Sequence, residues 1–166
     1  MPTNLIVMGV AGAGKTTLGR ALAERLGWVF LDADVLHPAA NVAKMRAGHP
    51  LDDADRAPWL AAVAAWMDAQ SGPSVVACSV LKRAYRAVLT AGRPDARLVY
   101  LDASPGVIAA RVAERADHYF PASLIASQFQ ALEPPGPDER PIVVSLAVST
   151  EAQVDAVLAQ IPAYQA

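Results

Sequence analysis

Residues 9–16 have the composition and spacing of a phosphate-binding loop. They fit the pattern G-x-x-x-x-G-K-S/T at every fixed position, after a short apolar run and before a helical pattern. Glycine lets the backbone curl so that successive N–H groups face a phosphate, and the start of a helix adds positive potential. The sequence therefore predicts phosphate contacts from Gly9, Val10, Ala11, Gly12, Ala13, Gly14, Lys15, Thr16 and Thr17.

Two side chains of this loop carry the expected chemistry. Lys15 can reach the β- and γ-phosphates of a nucleotide and is a predicted catalytic residue, and the Thr16 hydroxyl can bind Mg²⁺. A GTPase would also show D-x-x-G and N-K-x-D motifs, which this sequence lacks. A chain of 166 residues leaves little room for the extra domains of a motor. We therefore expect a small kinase that uses ATP and Mg²⁺.

Two aspartates, Asp32 and Asp34, directly follow the second apolar run of the sequence. Ligands bind at the carboxyl ends of parallel strands, so this position suits catalysis. Asp32 can serve the magnesium site, while Asp34 can accept the proton of a substrate hydroxyl. The alternative is a pair of solvated aspartates in a turn. The third apolar run ends without an acidic residue, so Mg²⁺ would rely on Thr16, Asp32 and water.

Five short apolar runs alternate with helical patterns along the chain. They lie at residues 5–8, 28–31, 74–78, 97–101 and 142–146. This alternation predicts an α/β protein, with a five-stranded parallel sheet between two helical layers, in one domain of residues 1–166. Asp52 is expected to cap one helix, and Thr150 with Gln153 is expected to form a capping box at the last one.

The composition excludes several other classes of protein. Apolar residues make up 54% of the chain and the mean hydropathy is +0.26, so the chain is not disordered. A net charge of −2 disfavours nucleic acid as a partner. The single cysteine, Cys78, cannot form an intrachain disulfide and indicates a reducing compartment. Without a signal-like or membrane-spanning run, we expect a soluble, cytoplasmic protein with no membrane partner.

A longer set of residues resembles a known family. The first stretch contains Asp32, Asp34, His37, Pro38, Asn41, Lys44, Met45, Gly48, Pro50, Leu51, Asp53, Asp55, Arg56, Pro58 and Trp59. Its most discriminating part is the segment with His37, Pro38, Asn41, Lys44 and Met45. Further matches are Cys78 to Lys82, Tyr85, Arg86, Arg111, Arg115, His118, Phe120, Ser127 to Phe129, Leu132 to Pro134, Asp138 and Glu139. Together they resemble bacterial gluconokinases of the small P-loop type, which are related to shikimate kinase and the nucleoside-monophosphate kinases.

The resemblance implies transfer of the ATP γ-phosphate to the 6-hydroxyl of D-gluconate, by a homodimer. It also implies a substrate-binding segment at about residues 35–70 and a mobile lid at about residues 115–135. The sequence departs from the family pattern at Ala103-Ser104 and at Ala116-Asp117, where members often carry Gly-Asp and a basic residue with glycine. These departures concern the charge and flexibility of the lid.

Several side chains are candidates for binding gluconate. Asp34 is the expected base, and His37 is expected to bind hydroxyl groups, although it could instead cap a helix. Arg56 suits the substrate carboxylate because a guanidinium binds it through two hydrogen bonds. Lys82 and Arg86 lie four residues apart and are also expected to bind substrate or phosphate, with a solvated helix face as the alternative.

Two arginines precede the expected lid. Arg111 and Arg115 would bind the nucleotide, and Arg115 would neutralise charge on the transferred phosphoryl group, unless both are ordinary surface residues. Two other kinase activities and one non-catalytic role stay open. A shikimate kinase would show a glycine-rich turn where this chain has residues 79–82, and a nucleoside-monophosphate kinase is a weaker choice. The other possibility is a nucleotide-binding regulatory module.

Overall fold

Five parallel strands form the centre of the part of the chain that the structure describes. The structure is a computed structural model and describes residues 3–114 and 122–161. The strands follow the order β2-β3-β1-β4-β5 across the sheet. Their bounds are β1 Asn4–Met8, β2 Val29–Asp32, β3 Ser74–Ala77, β4 Arg97–Asp102 and β5 Ile142–Ser145. The predicted parallel sheet is therefore confirmed.

Helices cover both faces of this sheet. Their bounds are α1 Lys15–Leu26, α2 Ala39–Arg46, α3 Asp53–Ala69, α4 Arg83–Thr90, α5 Pro105–Glu114, α6 Ala122–Ala131 and α7 Thr150–Leu158. Within the described ranges, none of them is long and apolar enough to cross a membrane.

The central strand β1 explains why the first apolar run is continuous. All five of its residues are buried. Leu5 and Val7 pack into the core that α1 and α7 cover, whereas Ile6 and Met8 pack into the core beneath α3 and α4. A strand that is buried on both faces needs apolar residues at successive positions, because its side chains alternate between the two faces.

Helix capping follows the sequence at α3 and departs from it at α7. Asp52 accepts a hydrogen bond from the Asp55 N–H, and the Asp55 carboxylate accepts one from the Asp52 N–H, so the expected cap is a full capping box. The predicted capping box at Thr150 is wrong. Ser149 caps α7 instead, and Gln153 donates to the Ser145 carbonyl.

A close approach between α1 and β2 gives a stability prediction. A β-carbon on Gly19 would lie 2.6 Å from a ring carbon of Phe30. The Arg20 guanidinium carbon lies over the same ring, 5.2 Å from its centre. We expect Gly19→Ala to lower the free energy of unfolding by about 1–3 kcal/mol, because the ring must move. Urea denaturation measures this change.

The matched control is Gly106→Ala in α5. A β-carbon there meets no atom within 4 Å, so the same substitution should cost no stability. Equal effects of the two substitutions would contradict the packing argument.

Candidate active site

The loop between β1 and α1 has the backbone geometry of a phosphate cradle. Gly12 and Gly14 adopt φ angles of 84° and 95°, which residues with a β-carbon rarely reach. A β-carbon on Gly12 would also lie 3.3 Å from Val112. The helix α1 begins at Lys15, so its first free N–H groups border the loop. The sequence prediction for this loop therefore agrees with its shape.

The magnesium candidates Thr16 and Asp32 are hydrogen-bonded to each other. The Thr16 hydroxyl donates to Asp32 Oδ2 over 3.2 Å. The other Asp32 oxygen accepts the Asp34 N–H at 3.0 Å, which fixes the carboxylate at the start of a short 3-10 turn. A hydroxyl and a carboxylate are oxygen donors of the kind that Mg²⁺ prefers, so these residues fit the ion.

Two cavities adjoin at the end of the sheet. The first, which we call the P-loop cavity, has a volume of about 380 Å³ and is lined by Gly12, Gly14, Lys15, Thr16, Thr17 and Asp32, among others. The second, the larger cavity, measures about 510 Å³ and is lined by His37, Arg56, Ser79, Lys82 and residues of α6. Ala11, Lys15 and Asp34 line both cavities. They therefore mark the boundary between the two.

The two ionisable groups at this boundary influence each other. The Lys15 ammonium donates to the Val10 carbonyl over 3.0 Å, and burial lowers its pKa, against the attraction of Asp34 and Asp32. The surrounding cleft raises the pKa of Asp34, and nearby Asp32 adds to this effect, while Lys15 and His37 oppose it. The Asp34 side chain is still 76% exposed, so it stays accessible from the cavity.

The ring of His37 is held in a defined state. It stacks on Trp59 with ring centres 4.1 Å apart, and the Asn41 amide nitrogen lies 3.2 Å from its Nδ1. The same amide nitrogen donates to the Asp55 carbonyl, which fixes it as the donor. Nδ1 therefore accepts, and a neutral ring carries its proton on Nε2, 3.9 Å from Asp34. Burial lowers the pKa of His37, with Asp34 opposing this effect and Arg56 adding to it.

Two cations lie in the larger cavity beside a tyrosine that sequence reasoning did not single out. Arg56 donates to the Leu51 carbonyl over 2.7 Å and to the Tyr85 hydroxyl over 3.1 Å. The Tyr85 hydroxyl donates in turn to Asp53, which also accepts from Lys82 over 3.2 Å. Hydrogen bonds from Tyr85 and Lys82 lower the pKa of Asp53. The sequence signal for Tyr85 is its place among the residues of the family resemblance.

The sequence is similar to one family of domains and to several gluconokinases. The family described as "AAA domain" matches residues 5–135. The gluconokinase of Gluconobacter oxydans is 47% identical over 163 residues, which cover 96% of this chain and 89% of that protein. The thermoresistant gluconokinase of Escherichia coli is 39% identical, with 84% and 81% covered. This chain belongs to the gluconokinase family.

Solved structures of related kinases have the same fold as this gluconokinase-family protein. A gluconokinase from Sinorhizobium meliloti superposes with a TM-score of 0.90 at 40% identity, covering 98% of this chain and 93% of that one. The shikimate kinase of Aquifex aeolicus superposes with a TM-score of 0.60 at 16% identity, covering 96% of each chain. The second similarity concerns the fold alone.

The structure contradicts the prediction that Arg86 binds substrate. Its side chain is 2% exposed, and Nε and Nη2 donate to the two carboxylate oxygens of Glu139 over 2.7 and 3.1 Å. Nη1 donates to the carbonyls of Val80 and Leu81. Val80 has a φ of 32°, an unusual value for a β-branched residue. Arg86 in this gluconokinase-family chain therefore stabilises the loop before Lys82.

Of the two predicted nucleotide-binding arginines, the structure describes Arg111 but not Arg115. Arg111 donates to the Ala13 carbonyl over 3.3 Å and to the Leu146 carbonyl over 3.1 Å, which places its guanidinium beside the phosphate-binding loop. Arg115 lies outside the described residues, as does the first part of the predicted lid. Gln128 of α6, which received no role from the sequence, accepts the Ala11 N–H over 2.8 Å.

The pair of Arg86 and Glu139 predicts a pH-dependent loss of stability. Glu139→Gln should lower the free energy of unfolding by about 3 kcal/mol at neutral pH, because it leaves the Arg86 charge buried and unpaired. The hydrogen bond from Arg86 lowers the pKa of Glu139 in the folded state below its usual 4.5. The stabilisation is therefore complete above about pH 4.5 and is lost as pH falls through the folded-state pKa.

Urea denaturation of both proteins between about pH 7 and pH 3 tests this prediction. The difference between wild type and Glu139→Gln should shrink at the acid end. A difference that stays constant over this range would show that the carboxylate charge does not stabilise the fold.

Proposed function

We propose that this protein transfers the γ-phosphoryl group of ATP to the 6-hydroxyl of D-gluconate. The observation that carries the proposal is the pair of adjoining cavities, one lined by the phosphate-binding loop and the other by two cations, with Lys15 and Asp34 between them. A nucleotide and an anionic hydroxy acid could thus meet at one boundary. The gluconokinases among its relatives support this choice of acceptor.

The nucleotide side of the reaction falls to the loop between β1 and α1. The Ala11 N–H donates to Gln128 and the Ala13 N–H to the Val10 carbonyl, so the other N–H groups of the loop and the start of α1 would bind the phosphates. Lys15 would bridge the β- and γ-phosphates. Thr16 and Asp32 would hold Mg²⁺, which when bound supplies positive charge to the phosphate oxygens. Arg111, next to the loop, would add a second cation on the nucleotide side.

Arg56 is the best candidate for the carboxylate of gluconate. Among the described residues its hydrogen-bond partners are a carbonyl and a hydroxyl, both neutral, so its charge is not neutralised. Lys82 instead already pairs with Asp53. Gluconate is a flexible polyol with one charged end, and anchoring that end places the far hydroxyl near the γ-phosphate. The Nε2 proton of His37 would bind a hydroxyl group along the chain.

Asp34 would orient the reacting hydroxyl and accept its proton. The hydroxyl oxygen forms a bond to the γ-phosphorus while the bond from that phosphorus to the bridging β,γ-oxygen breaks, and ADP leaves. A raised pKa makes the carboxylate a better proton acceptor than an ordinary aspartate. Lys15 next to it would stabilise the negative charge that the oxygens carry.

The remaining expectations extend this proposal. Residues 35–70 would form the substrate-binding segment and residues 115–135 the lid of a single domain, with Arg115 at the transferred phosphoryl group. A closed lid would keep water from the γ-phosphate. The family resemblance supports a homodimer, and the single buried cysteine supports a cytoplasmic location.

A coupled assay of ADP release tests the proposed activity. We expect turnover with D-gluconate and much less with shikimate, glycerate or nucleoside monophosphates. Lys15→Ala should reduce turnover to background while its circular dichroism spectrum stays unchanged, because the fold would lose one hydrogen bond to the Val10 carbonyl whereas the nucleotide would lose a charged partner. Comparable turnover of another acceptor, or an active Lys15→Ala protein, would overturn the proposal.

Steady-state kinetics should separate the roles of Arg56 and Asp34. Arg56→Ala should raise the KM for gluconate about ten- to a hundredfold, since charge-assisted hydrogen bonds contribute roughly 1.5–3 kcal/mol, and leave the KM for ATP nearly unchanged. Asp34→Asn should mainly lower kcat, by about 10²- to 10⁴-fold. Arg46→Ala, an exposed arginine on α2, is the control. An unchanged KM in Arg56→Ala would move the carboxylate contact to Lys82.

A further inference from the structure

Gln128 connects the larger cavity to the phosphate-binding loop. It belongs to α6 and lines the larger cavity, while its side-chain oxygen accepts the N–H of Ala11 over 2.8 Å. Ala11 belongs to the phosphate-binding loop and lines both cavities. This hydrogen bond connects residues 117 positions apart in the sequence and links α6 directly to the loop.

The contact with Ala11 fixes which end of the Gln128 amide faces the loop. A backbone N–H can only donate, so the atom opposite it is the amide oxygen. The amide NH₂ group is then the unused part of the side chain, and within residues 3–114 and 122–161 it has no protein acceptor. The side chain thus leaves a neutral donor in the larger cavity, next to the phosphate-binding loop.

Helix α6 belongs to the segment expected to form the lid, and in this structure several contacts already hold its donor beside the loop. Leu124 on the same helix is 5% exposed, and α6 packs against α5. Just beyond α6, the Glu133 N–H donates to the Leu81 carbonyl over 2.8 Å, and the Glu133 carboxylate accepts the Arg83 N–H over 2.9 Å. A donor that already occupies its position costs little reorganisation during a reaction.

We propose that Gln128 is a catalytic residue that donates a hydrogen bond from its amide nitrogen to the phosphoryl group during transfer, while its oxygen stays on Ala11. The inference rests on the proposed function for the direction of transfer. Charge on the phosphoryl group spreads over three oxygens in the transition state, so a fixed donor between nucleotide and acceptor binds that state more tightly than the ground state. Gln128 forms no covalent bond and moves no proton in this role.

Two variants of Gln128 separate this role from its alternatives. Gln128→Glu keeps an acceptor for the Ala11 N–H but removes the donor and adds a charge, whereas Gln128→Ala removes both groups without adding charge. We expect both to lower kcat about a hundredfold, the effect of losing one transition-state donor. Ala156→Glu adds the same charge at an exposed position of α7, outside the expected lid and both cavities, and should leave kcat unchanged.

Any other combination of kcat values for the two Gln128 variants overturns the proposal. If Gln128→Ala is slow but Gln128→Glu is as fast as wild type, the side chain only holds the loop. If Gln128→Glu is slow but Gln128→Ala is not, the loss reflects charge repulsion. Melting temperatures of all variants identify any that fail to fold, and the second Gln128 variant then decides.

A second measurement keeps this inference separate from the proposed acceptor. The slow hydrolysis of ATP, in which water replaces the hydroxyl group, needs no gluconate and passes through the same phosphoryl transfer. If the wild-type protein does not turn over gluconate, the proposed function is refuted and the role of Gln128 in ATP hydrolysis is still tested. Gln128→Ala with unchanged hydrolysis and unchanged turnover would refute the role of Gln128 alone.

Discussion

The site depends on a glycine-rich loop placed at the carboxyl end of a strand whose residues are all buried. Strand β1 lies in the middle of the sheet, so its carboxyl end is reached by side chains from both neighbours and from the helices beyond them. Asp32 belongs to β2, which is separated from β1 by β3. It still contacts Thr16, and its register partner on β3 is the small residue Ala77, which lines the P-loop cavity.

Both cavities contain positively charged side chains, so each of them suits an anion. Lys15 lies at the boundary of the cavities, and Arg56 and Lys82 lie in the larger one. Asp53 already pairs with Lys82 and accepts a hydrogen bond from Tyr85, so the charge of Lys82 is balanced within the protein. Among the described residues, Arg56 has only neutral hydrogen-bond partners, which leaves its charge available.

Local rules explain what the sequence could predict. The strand, loop and helix at residues 4–26 follow from an apolar run, glycines and a helical pattern, each readable over a few positions. The prediction that Arg86 binds substrate fails for two reasons, one local and one distant in sequence. Helix α4 begins at Arg83, so Lys82 lies outside it and the four-residue spacing does not place the two side chains together. The partner Glu139 is 53 positions away, and no local pattern reveals it.

The contacts that follow α6 also limit how the length of the chain can vary. Arg83 and Arg86 bind Asp138 and Glu139, and Glu133 binds Leu81, so both ends of residues 133–139 are tied to the start of α4. An inserted residue there would pull at least one buried partner away. The exposed turn at Ser71 to Pro73 carries no such ties, and a β-carbon on Gly72 meets nothing within 4 Å. Natural insertions should therefore collect in that turn rather than after α6.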